Sequence, residues 1–388
     1  MNEWKNIKLK EVIKEVSERN KGQKVKRVLS ITNSQGFVNQ EEYFEGTVHS
    51  ADISQYKIVR KNQFAYNPSR VNVGSIDILK DYDEGALSPM YVIFEVDTEK
   101  LLPEYFKYYF QTHRFYENVK NNTQGSVRNS LSFKALADFE YLLPPIEEQE
   151  KIVKILKNID FIINKYEKLL EEKDKFIKSL FSEMFEKLKN YEKIGDICTV
   201  KARIGWQGLT RKEYLEDGDY HLVTGIDFKG NKIDFDKCYY VTKQRYEQDE
   251  NIQLKLGDVL VTKDGTIGKV ALIEELKKPA TLNSGVFVVR DKKNKLIPKY
   301  LKSALLTANF ENFINSLKTG STIAHLNQAA FLKYKIPVPP IEKQKNFEII
   351  SNQIDKQKIE LEKLIANYKT LKKGLMQRLL TGKVKVNV

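Results

Sequence analysis

Apolar residues recur along two long segments of the chain at alternating spacings of three and four positions. These segments are 144–190 and 339–388, and each begins with a Pro-Pro pair. Proline at the first helical turn and the absence of proline afterwards favour one long helix in each segment. The apolar positions are Ile152, Ile155, Ile159, Ile163, Tyr166, Leu170, Ile177, Leu180, Met184 and Leu188 in the first helix, and Phe347, Ile350, Ile354, Leu361, Leu364, Tyr368, Leu371 and Leu375 in the second.

Both apolar seams follow a heptad pattern with one polar interruption, Lys173 in the first helix and Gln357 in the second. A helix with a single apolar stripe needs a partner to cover it. Since the two helices have the same pattern, the sequence predicts that each is the partner of the other. Gly382 follows the second helix and is typical of a helix C-terminus.

Each helix is preceded by a segment of mixed pattern, 1–143 and 191–338. Short runs rich in β-branched and aromatic residues predict strands at 91–96, 258–262 and 286–290. Helical stretches are expected at 103–116 and 298–315. The predicted fold class is therefore α+β, with two globular domains, each followed by a long helix.

The second half of the chain repeats the first at an offset of 195 residues. Gly125-Ser126 matches Gly320-Ser321, and the run Pro-Pro-Ile-Glu occurs at 144–147 and again at 339–342. The register is maintained across both halves, which indicates an internal duplication. Two copies with paired helices predict a pseudo-twofold arrangement in which the helices run antiparallel and the globular domains sit at opposite ends.

Charge and composition narrow the class of protein. The chain has 388 residues and a formal net charge of +13, which favours a polyanionic partner such as nucleic acid. Its two cysteines, Cys198 and Cys238, are too few for a disulfide framework or a structural zinc site. Because no signal peptide or membrane-spanning run is recognisable, we expect a cytoplasmic protein.

Catalytic motifs are missing from the sequence. The run at 264–269, DGTIGK, has its glycines too close together for a phosphate-binding loop, and AYNPSR at 65–70 lacks the second proline and the aromatic of an amino-methyltransferase motif. The four histidines show no metal-ligand spacing. We therefore expect no enzymatic activity, no metal and no cofactor in this chain.

Polar, glycine-containing loops occupy corresponding places in the two halves. One pair is 122–132 and 318–327, a second pair is 65–75 and 261–270, and a further loop lies at 202–214. Amide and arginine side chains can read base edges, while lysine and hydroxyl groups bind phosphates. The predicted DNA contacts are Asn67, Arg70, Gln124, Ser126, Arg128 and Asn129 in the first half, and Arg203, Gln207, Arg211, Lys212, Lys263, Lys269, Ser321, Thr322 and His325 in the second.

Several motifs together resemble the specificity subunit of a type I restriction-modification system. They are PPIEEQEKI at 144–152, its copy PPIEKQKNF at 339–347, the Gly-Ser loops before each, SLFSEMF at 179–185 and LMQRLLTGKVKV at 375–386. The resemblance covers essentially the whole chain. It departs from an exact repeat at Lys343, which stands where the first half has Glu148.

This resemblance implies a non-catalytic subunit with two target-recognition domains, each reading one half of a bipartite double-stranded DNA sequence. The paired helices would set the spacer between the half-sites. They would also bind two methyltransferase subunits, which use S-adenosylmethionine, with endonuclease and translocase subunits joining the complex. We expect Ile146, Gln149, Ile341 and Gln344 to bind partners. The alternative is a coiled-coil scaffold that binds only protein, which would leave the basic charge and the matched loops unexplained.

Overall fold

The computed structural model describes residues 4–44, 49–123, 130–318 and 325–386. Its contacts divide the chain into two units, and each long helix contributes to both. Unit 1 comprises residues 1–166 and 363–388, and unit 2 comprises residues 167–362.

The described residues of unit 1 form ten strands, all of which precede the first long helix. The strands are β1 (Lys5–Lys8), β2 (Ile13–Val16), β3 (Leu29–Thr32), β4 (Gly36–Asn39), β5 (Lys57–Arg60), β6 (Phe64–Tyr66), β7 (Ile76–Ile78), β8 (Glu84–Leu87), β9 (Val92–Val96) and β10 (Glu140–Leu143). The helices are α1 (Gln40–Tyr43), α2 (Pro103–Tyr109), α3 (His113–Thr123), α4 (Phe133–Ala137) and the long α5 (Ile146–Phe181).

Eleven strands lie in the described residues of unit 2, in a similar order. They are β11 (Tyr191–Lys193), β12 (Cys198–Lys201), β13 (Tyr220–Val223), β14 (Phe228–Lys229), β15 (Lys232–Ile233), β16 (Tyr239–Val241), β17 (Val259–Thr262), β18 (Val270–Leu272), β19 (Ala280–Leu282), β20 (Val286–Asp291) and β21 (Lys335–Pro337). The helices are α6 (Ile194–Ile197), α7 (Lys243–Glu247), α8 (Pro298–Ala304), α9 (Ala308–Lys318), α10 (Gln328–Lys333) and the long α11 (Ile341–Leu379).

The central sheets of the two units have the same topology. Unit 1 has the antiparallel order β2-β9-β6-β7, and unit 2 has the antiparallel order β12-β20-β17-β18. Their registers match at the repeat offset, because Phe64 lies opposite Phe94 and Val259 lies opposite Val289. The predicted α+β class, the internal repeat and the strands at 91–96, 258–262 and 286–290 are confirmed.

The helical stretches expected at 103–116 and 298–315 are present, and each consists of two helices. The chain turns between α2 and α3, and again between α8 and α9. At each turn a threonine hydroxyl accepts a hydrogen bond from the backbone of the next helix, Thr112 from Phe115 N and Thr307 from Phe310 N, both at 3.3 Å. Such N-capping by threonine stabilises the start of a new helix.

The long helices pair antiparallel, as predicted, and the pairing is seen within each unit. In unit 1 the Lys372 ammonium lies 2.7 Å from Asp160, and the rings of Tyr166 and Tyr368 are 5.9 Å apart. In unit 2 the rings of Phe181 and Phe347 are 5.5 Å apart.

The apolar seam of α11 differs from the predicted one over its second half. Leu364 and Leu371 are 39% and 49% exposed, whereas Ile365 is 8% exposed and packs on Ile159 and Ile163 of α5. The heptad pattern alone could not separate Leu364 from its apolar neighbour Ile365. The helix ends at Leu379, and Gly382 follows with a φ of +69°.

Candidate nucleic-acid interface

Two of the loops singled out in the first half of the chain meet at the end of β6. The backbone N–H of Leu131 donates a hydrogen bond of 3.1 Å to the carbonyl of Pro68. The Tyr66 hydroxyl donates to the carbonyl of Leu131 at 3.1 Å, and the Leu131 side chain is fully buried. This junction holds the loop that leads into α4 beside the loop that follows β6.

Unit 2 builds the same junction from the corresponding residues. The N–H of Leu326 donates to the carbonyl of Lys263 at 2.9 Å, and the Leu326 side chain is fully buried. Leu326 and Lys263 each lie 195 positions after their counterparts Leu131 and Pro68. We call the two places where these loops meet the paired-loop surfaces, one formed by 67–75 with 130–132 and the other by 262–269 with 325–327.

Two further turns adjoin the paired-loop surface of unit 1. The Ser75 hydroxyl donates to the carbonyl of Ile31 at 3.0 Å, which holds the turn between β3 and β4 in place. The Asn67 amide lies 3.5 Å from the sulfur of Met90 in the turn before β9. The exposed residues around this edge are Asn33, Ser34, Gln35, Ser69, Arg70, Asn72, Val73 and Met90.

Equivalent turns adjoin the paired-loop surface of unit 2. The Lys269 ammonium donates to the carbonyl of Gly225 at 3.4 Å, and the N–H of Lys263 donates to the carbonyl of Gly285 at 2.9 Å. The turn that contains Gly225 also carries Ile226, whose side chain is 80% exposed. An apolar side chain presented beside lysines suits contact with a thymine methyl group.

An ion-paired cluster connects the two loops of unit 2. Asp264 receives the Lys263 ammonium at 3.2 Å on one carboxylate oxygen and forms a short contact with His325 Nδ1 on the other. Lys263 and His325 were both predicted DNA contacts, and the structure brings them together. Asp264, which orients them, lies in the loop 261–270 but was missed because only amide, hydroxyl and basic side chains of the loops were chosen as DNA contacts.

Arg203 and Gln207 lie inside unit 2. Arg203 is 2% exposed, and its guanidinium donates to the carbonyl of Leu282 at 2.9 Å and to the Thr281 hydroxyl at 3.3 Å. Burial lowers the pKa of Arg203 because it disfavours the charged form. Gln207 is 5% exposed. These contacts give Arg203 a role in supporting the turn that begins at Asn283.

The other predicted contacts fall into three groups. Arg70, Arg211 and Lys212 are exposed, the last two on a short 3₁₀ helix at Arg211–Glu213. Asn67 is 8% exposed, and its carbonyl oxygen accepts the N–H of Ser69 at 3.0 Å. Gln124, Ser126, Arg128, Asn129, Ser321 and Thr322 lie outside the described residues.

Tyr214 connects the loop 202–214 to the paired-loop surface of unit 2. Its hydroxyl accepts a hydrogen bond of 2.6 Å from the Asn283 amide. Asn283 and Ser284 stand before β20 where Ser88 and Pro89 stand before β9, at the repeat offset. These turns were not singled out in the sequence, although the same offset that paired the other loops could have found them.

Gln149 and Gln344 form matching clamps at the starts of α5 and α11. The Gln149 amide donates to the carbonyls of Lys100 and Pro144 at 2.8 and 2.9 Å, and its oxygen accepts the N–H of Leu102 at 2.8 Å. Gln344 makes the corresponding three bonds, to Lys295 and Pro339 and from Ile297.

Both glutamines are fully buried. Their polar groups are already satisfied within their own units, so we assign them to the boundary between domain and helix rather than to partner binding. Ile146 and Ile341 are half-buried at the first positions of their helices.

Two kinds of site are not found within the described ranges. No group of three or more histidine, cysteine, aspartate or glutamate side chains there is arranged to hold a metal ion. No helix in this part of the chain combines the length and apolar character needed to cross a bilayer.

The chain is similar in sequence to a known protein family. A family model described as the type I restriction modification DNA specificity domain matches residues 1–172 and again residues 187–369. The type I restriction enzyme MjaVIII specificity subunit of Methanocaldococcus jannaschii is 27% identical over 357 residues, covering 85% of this chain and 80% of that protein. The EcoKI specificity subunit of Escherichia coli K12 is 24% identical over 205 residues, covering 49% of this chain and 43% of that protein.

Solved structures share the fold. A chain from a study of complex assembly and conformational transition of the type I R-M system superimposes with a TM-score of 0.61 at 14% identity, covering 98% of both chains. The S subunit of the type I restriction-modification system of M. genitalium gives a TM-score of 0.53 at 12% identity, covering 97% of this chain and 96% of that one.

Proposed function

The chain belongs to the type I restriction-modification DNA specificity family, and from this membership we propose that its two paired-loop surfaces read the two halves of a split double-stranded DNA target. It is a non-catalytic specificity subunit that selects DNA for methyltransferase and endonuclease subunits. We assign residues 1–143 and 191–338 to the two target-recognition domains, and 144–190 and 339–388 to the two helical segments.

The observation that carries the proposal is the repeated junction between loops. Each unit fixes a loop after a central strand beside the loop before a short helix, with the bond from Leu131 to Pro68 in one and from Leu326 to Lys263 in the other. Two copies of one surface suit a target read in two blocks. The exposed residues differ between the copies, as Arg70 and Met90 in unit 1 and Ile226 and His325 in unit 2 illustrate. Different side chains on the same framework would read different bases.

The chemistry of these surfaces fits both kinds of DNA contact. Arg70, Lys263 and Lys269 supply cations for phosphates or for guanine, and Asn33 and Gln35 supply amides for adenine. The apolar side chains of Ile226 and Met90 suit thymine methyl groups. Burial of Arg203 beneath the second surface provides the rigid support that base readout requires.

We propose that partner subunits bind the outward faces of the long helices. Exposed apolar residues mark these faces on both units: Phe161, Leu364 and Leu371 on unit 1, and Leu169, Phe176, Ile349 and Ile359 on unit 2. Contiguous exposed apolar side chains on a helix favour protein contact. Two methyltransferase subunits, each with its own S-adenosylmethionine, would bind at these faces. The endonuclease subunits would join the complex by binding to the methyltransferase subunits.

The test is a map of adenine methylation in the native host with the wild-type gene, with Arg128→Ala and with Thr322→Ala. We expect a split motif in the wild type, a change confined to one block with Arg128→Ala, and a change confined to the other block with Thr322→Ala. Lys277→Ala, on an exposed turn of unit 2, is the control and should leave both blocks intact.

An equal loss of methylation at all sequences with either variant would mean that the loops bind phosphates without reading bases. A gel shift with the methyltransferase partner present separates the proposal from a scaffold role. A complex that forms but retards no DNA would favour the protein-binding scaffold.

A further inference from the structure

Unit 2 contains a cleft whose lining includes no residue of the paired-loop surfaces. Its volume is about 680 Å³, within the range of ordinary ligand sites. The walls come from the second half of α5, the first half of α11 and the hairpin formed by β14 and β15. Helix α8 supplies the inner side with Lys302 and Ser303.

Lys302 is a buried cation without a partner in the described structure. Its side chain lines the cleft although the residue is only 8% exposed. No described carboxylate lies within ion-pair distance of its ammonium group. A buried charge of this kind is costly unless it is paired or hydrogen-bonded.

The carboxylates near Lys302 are already engaged by other lysines. Asp355 accepts the Lys299 ammonium at 2.5 Å, and Glu274 lies 3.2 Å from the Lys232 ammonium and 3.8 Å from that of Lys299. Two lysines and two carboxylates therefore balance one another. The charge of Lys302 is left in excess.

Other charges at the walls of the cleft do not remove this excess. Asp174 pairs with Lys358, and Asp234 pairs with Lys237 at 3.6 Å. Lys178 and Lys229 are exposed at the walls, and the exposed carboxylate of Glu362 offsets one of these two positive charges. The charge in the cleft is therefore positive.

Unit 1 shows how the same position is neutralised in the other copy. Lys107, the counterpart of Lys302 at the repeat offset, pairs with Asp77 at 2.9 Å. Asp77 lies opposite Ala65 in the sheet, and the equivalent register position in unit 2, opposite Leu260, is Ala271. The carboxylate that would pair with Lys302 is therefore replaced by a methyl group.

A second replacement accounts for the open space. The counterpart of Ser303 in unit 1 is Tyr108, which is 6% exposed and donates its hydroxyl to Asp160 at 2.9 Å. In unit 1 the phenol ring of Tyr108 fills this space, whereas in unit 2 the smaller side chain of Ser303 leaves it open. The loss of a carboxylate and the loss of a ring thus coincide beside one buried lysine.

We propose that this cleft is a binding site for a small anion, a phosphate or a carboxylate, held by the Lys302 ammonium at its inner end. Burial lowers the pKa of Lys302, with Asp355 opposing the shift, and an anion at this place would favour the charged form. Charge-assisted hydrogen bonds to phosphate or carboxylate are the strong contacts that lysine makes. This site is separate from the DNA-reading surfaces and does not depend on them.

The experiment is isothermal titration calorimetry of the 388-residue chain with inorganic phosphate and with acetate, at constant ionic strength. We expect one phosphate or acetate to bind per chain, at least tenfold more weakly in Lys302→Met. Lys107→Met is the matched control, because that lysine already has its carboxylate, and it should leave binding unchanged. Binding of phosphate alone would identify a phosphate-containing ligand, and binding of acetate as well would identify a general anion site.

A second variant guards against a folding defect at the buried lysine. Ser303→Tyr restores the ring that unit 1 carries and should abolish binding while Lys302 stays in place. The proposal is overturned if the wild type binds neither anion, if Lys302→Met binds as well as the wild type, or if Lys107→Met loses binding to the same extent.

Discussion

Lys173 and Gln357 hydrogen-bond to each other, with the lysine ammonium 2.7 Å from the glutamine oxygen. These are the two residues that interrupt the apolar seams of α5 and α11. Each breaks its own heptad pattern, and the antiparallel pairing places the two breaks face to face. A polar pair at one level of a helix pair favours one register over its neighbours.

The contribution of such pairs to stability is expected to depend on burial. Lys372 is 18% exposed and contacts Asp160 at 2.7 Å and Gln111 at 3.1 Å, with its ammonium 5.4 Å from the centre of the Tyr108 ring. We expect Lys372→Met to lower the free energy of unfolding of unit 1 by about 1–3 kcal/mol, because it removes the cation from a half-buried carboxylate that keeps only the Tyr108 hydroxyl as a described side-chain partner.

The control is Lys173→Met, which removes an exposed pair and should cost less than about 0.5 kcal/mol. Urea denaturation followed by circular dichroism measures both variants. If both variants lost the same free energy of unfolding, the claim that the Lys372 contacts stabilise the helix pair more than the Lys173 contact would be wrong.

The glutamine clamps provide a second prediction. Gln149→Ala and Gln344→Ala each remove three hydrogen bonds, one buried and two partly buried, and leave a backbone N–H and two carbonyls short of a partner. We expect each to reduce the free energy of unfolding by roughly 3 kcal/mol. Denaturant titration of each variant is the measurement, and Gln353→Ala, at an exposed position on α11, should have little effect. A change below about 1 kcal/mol would show that the clamps do not hold the helix starts.

Stability at acid pH is expected to depend on His221. This side chain is 6% exposed between Phe235 and Tyr240, and burial lowers its pKa below the usual value of 6.5. The unfolded chain therefore binds a proton more readily than the folded one, so stability falls as the pH drops below about 6.5.

The variant His221→Phe should flatten this fall, which is at most about 1.4 kcal/mol for each pH unit. Thermal unfolding between pH 5 and pH 8 is the measurement, and His113→Gln, an exposed position in unit 1, is the control. If the thermal stability of His221→Phe depended on pH in the same way as that of the wild type, His221 would not be the cause of the loss of stability at acid pH.

Asp264 provides a test of the second DNA-reading surface. Its carboxylate joins Lys263 and His325 from two different loops. We expect Asp264→Ala to release both side chains and to lower methylation at targets with the correct second block about tenfold. Methylation assays with the partner subunits, on DNA altered in one block at a time, are the measurement. A tenfold loss that is the same for every sequence would assign Asp264 to overall folding.

Much of the fold could be predicted because the duplication shows each sequence pattern twice, once in each half of the chain. The repeat offset identified the matching loops and the matching glutamines Gln149 and Gln344, but the sequence assigned these glutamines to partner binding and did not indicate that they clamp the helix starts. The turns at Thr112 and Thr307 were also matched in sequence, yet their role as helix caps was missed. A hydroxyl within an apolar helical pattern does not by itself indicate where a helix stops.

The sequence alone determined the two long helices, their pairing, the α+β class and the family resemblance, because periodicity and repetition are visible in the order of residues without any knowledge of how they pack. Only the tertiary structure decided which side chains face solvent. It placed Leu371 on the outside of α11 and Arg203 in the interior, and it left Lys302 without the carboxylate that Lys107 has. Burial and charge pairing depend on residues far apart in sequence, and these come together only through the packing of sheets and helices.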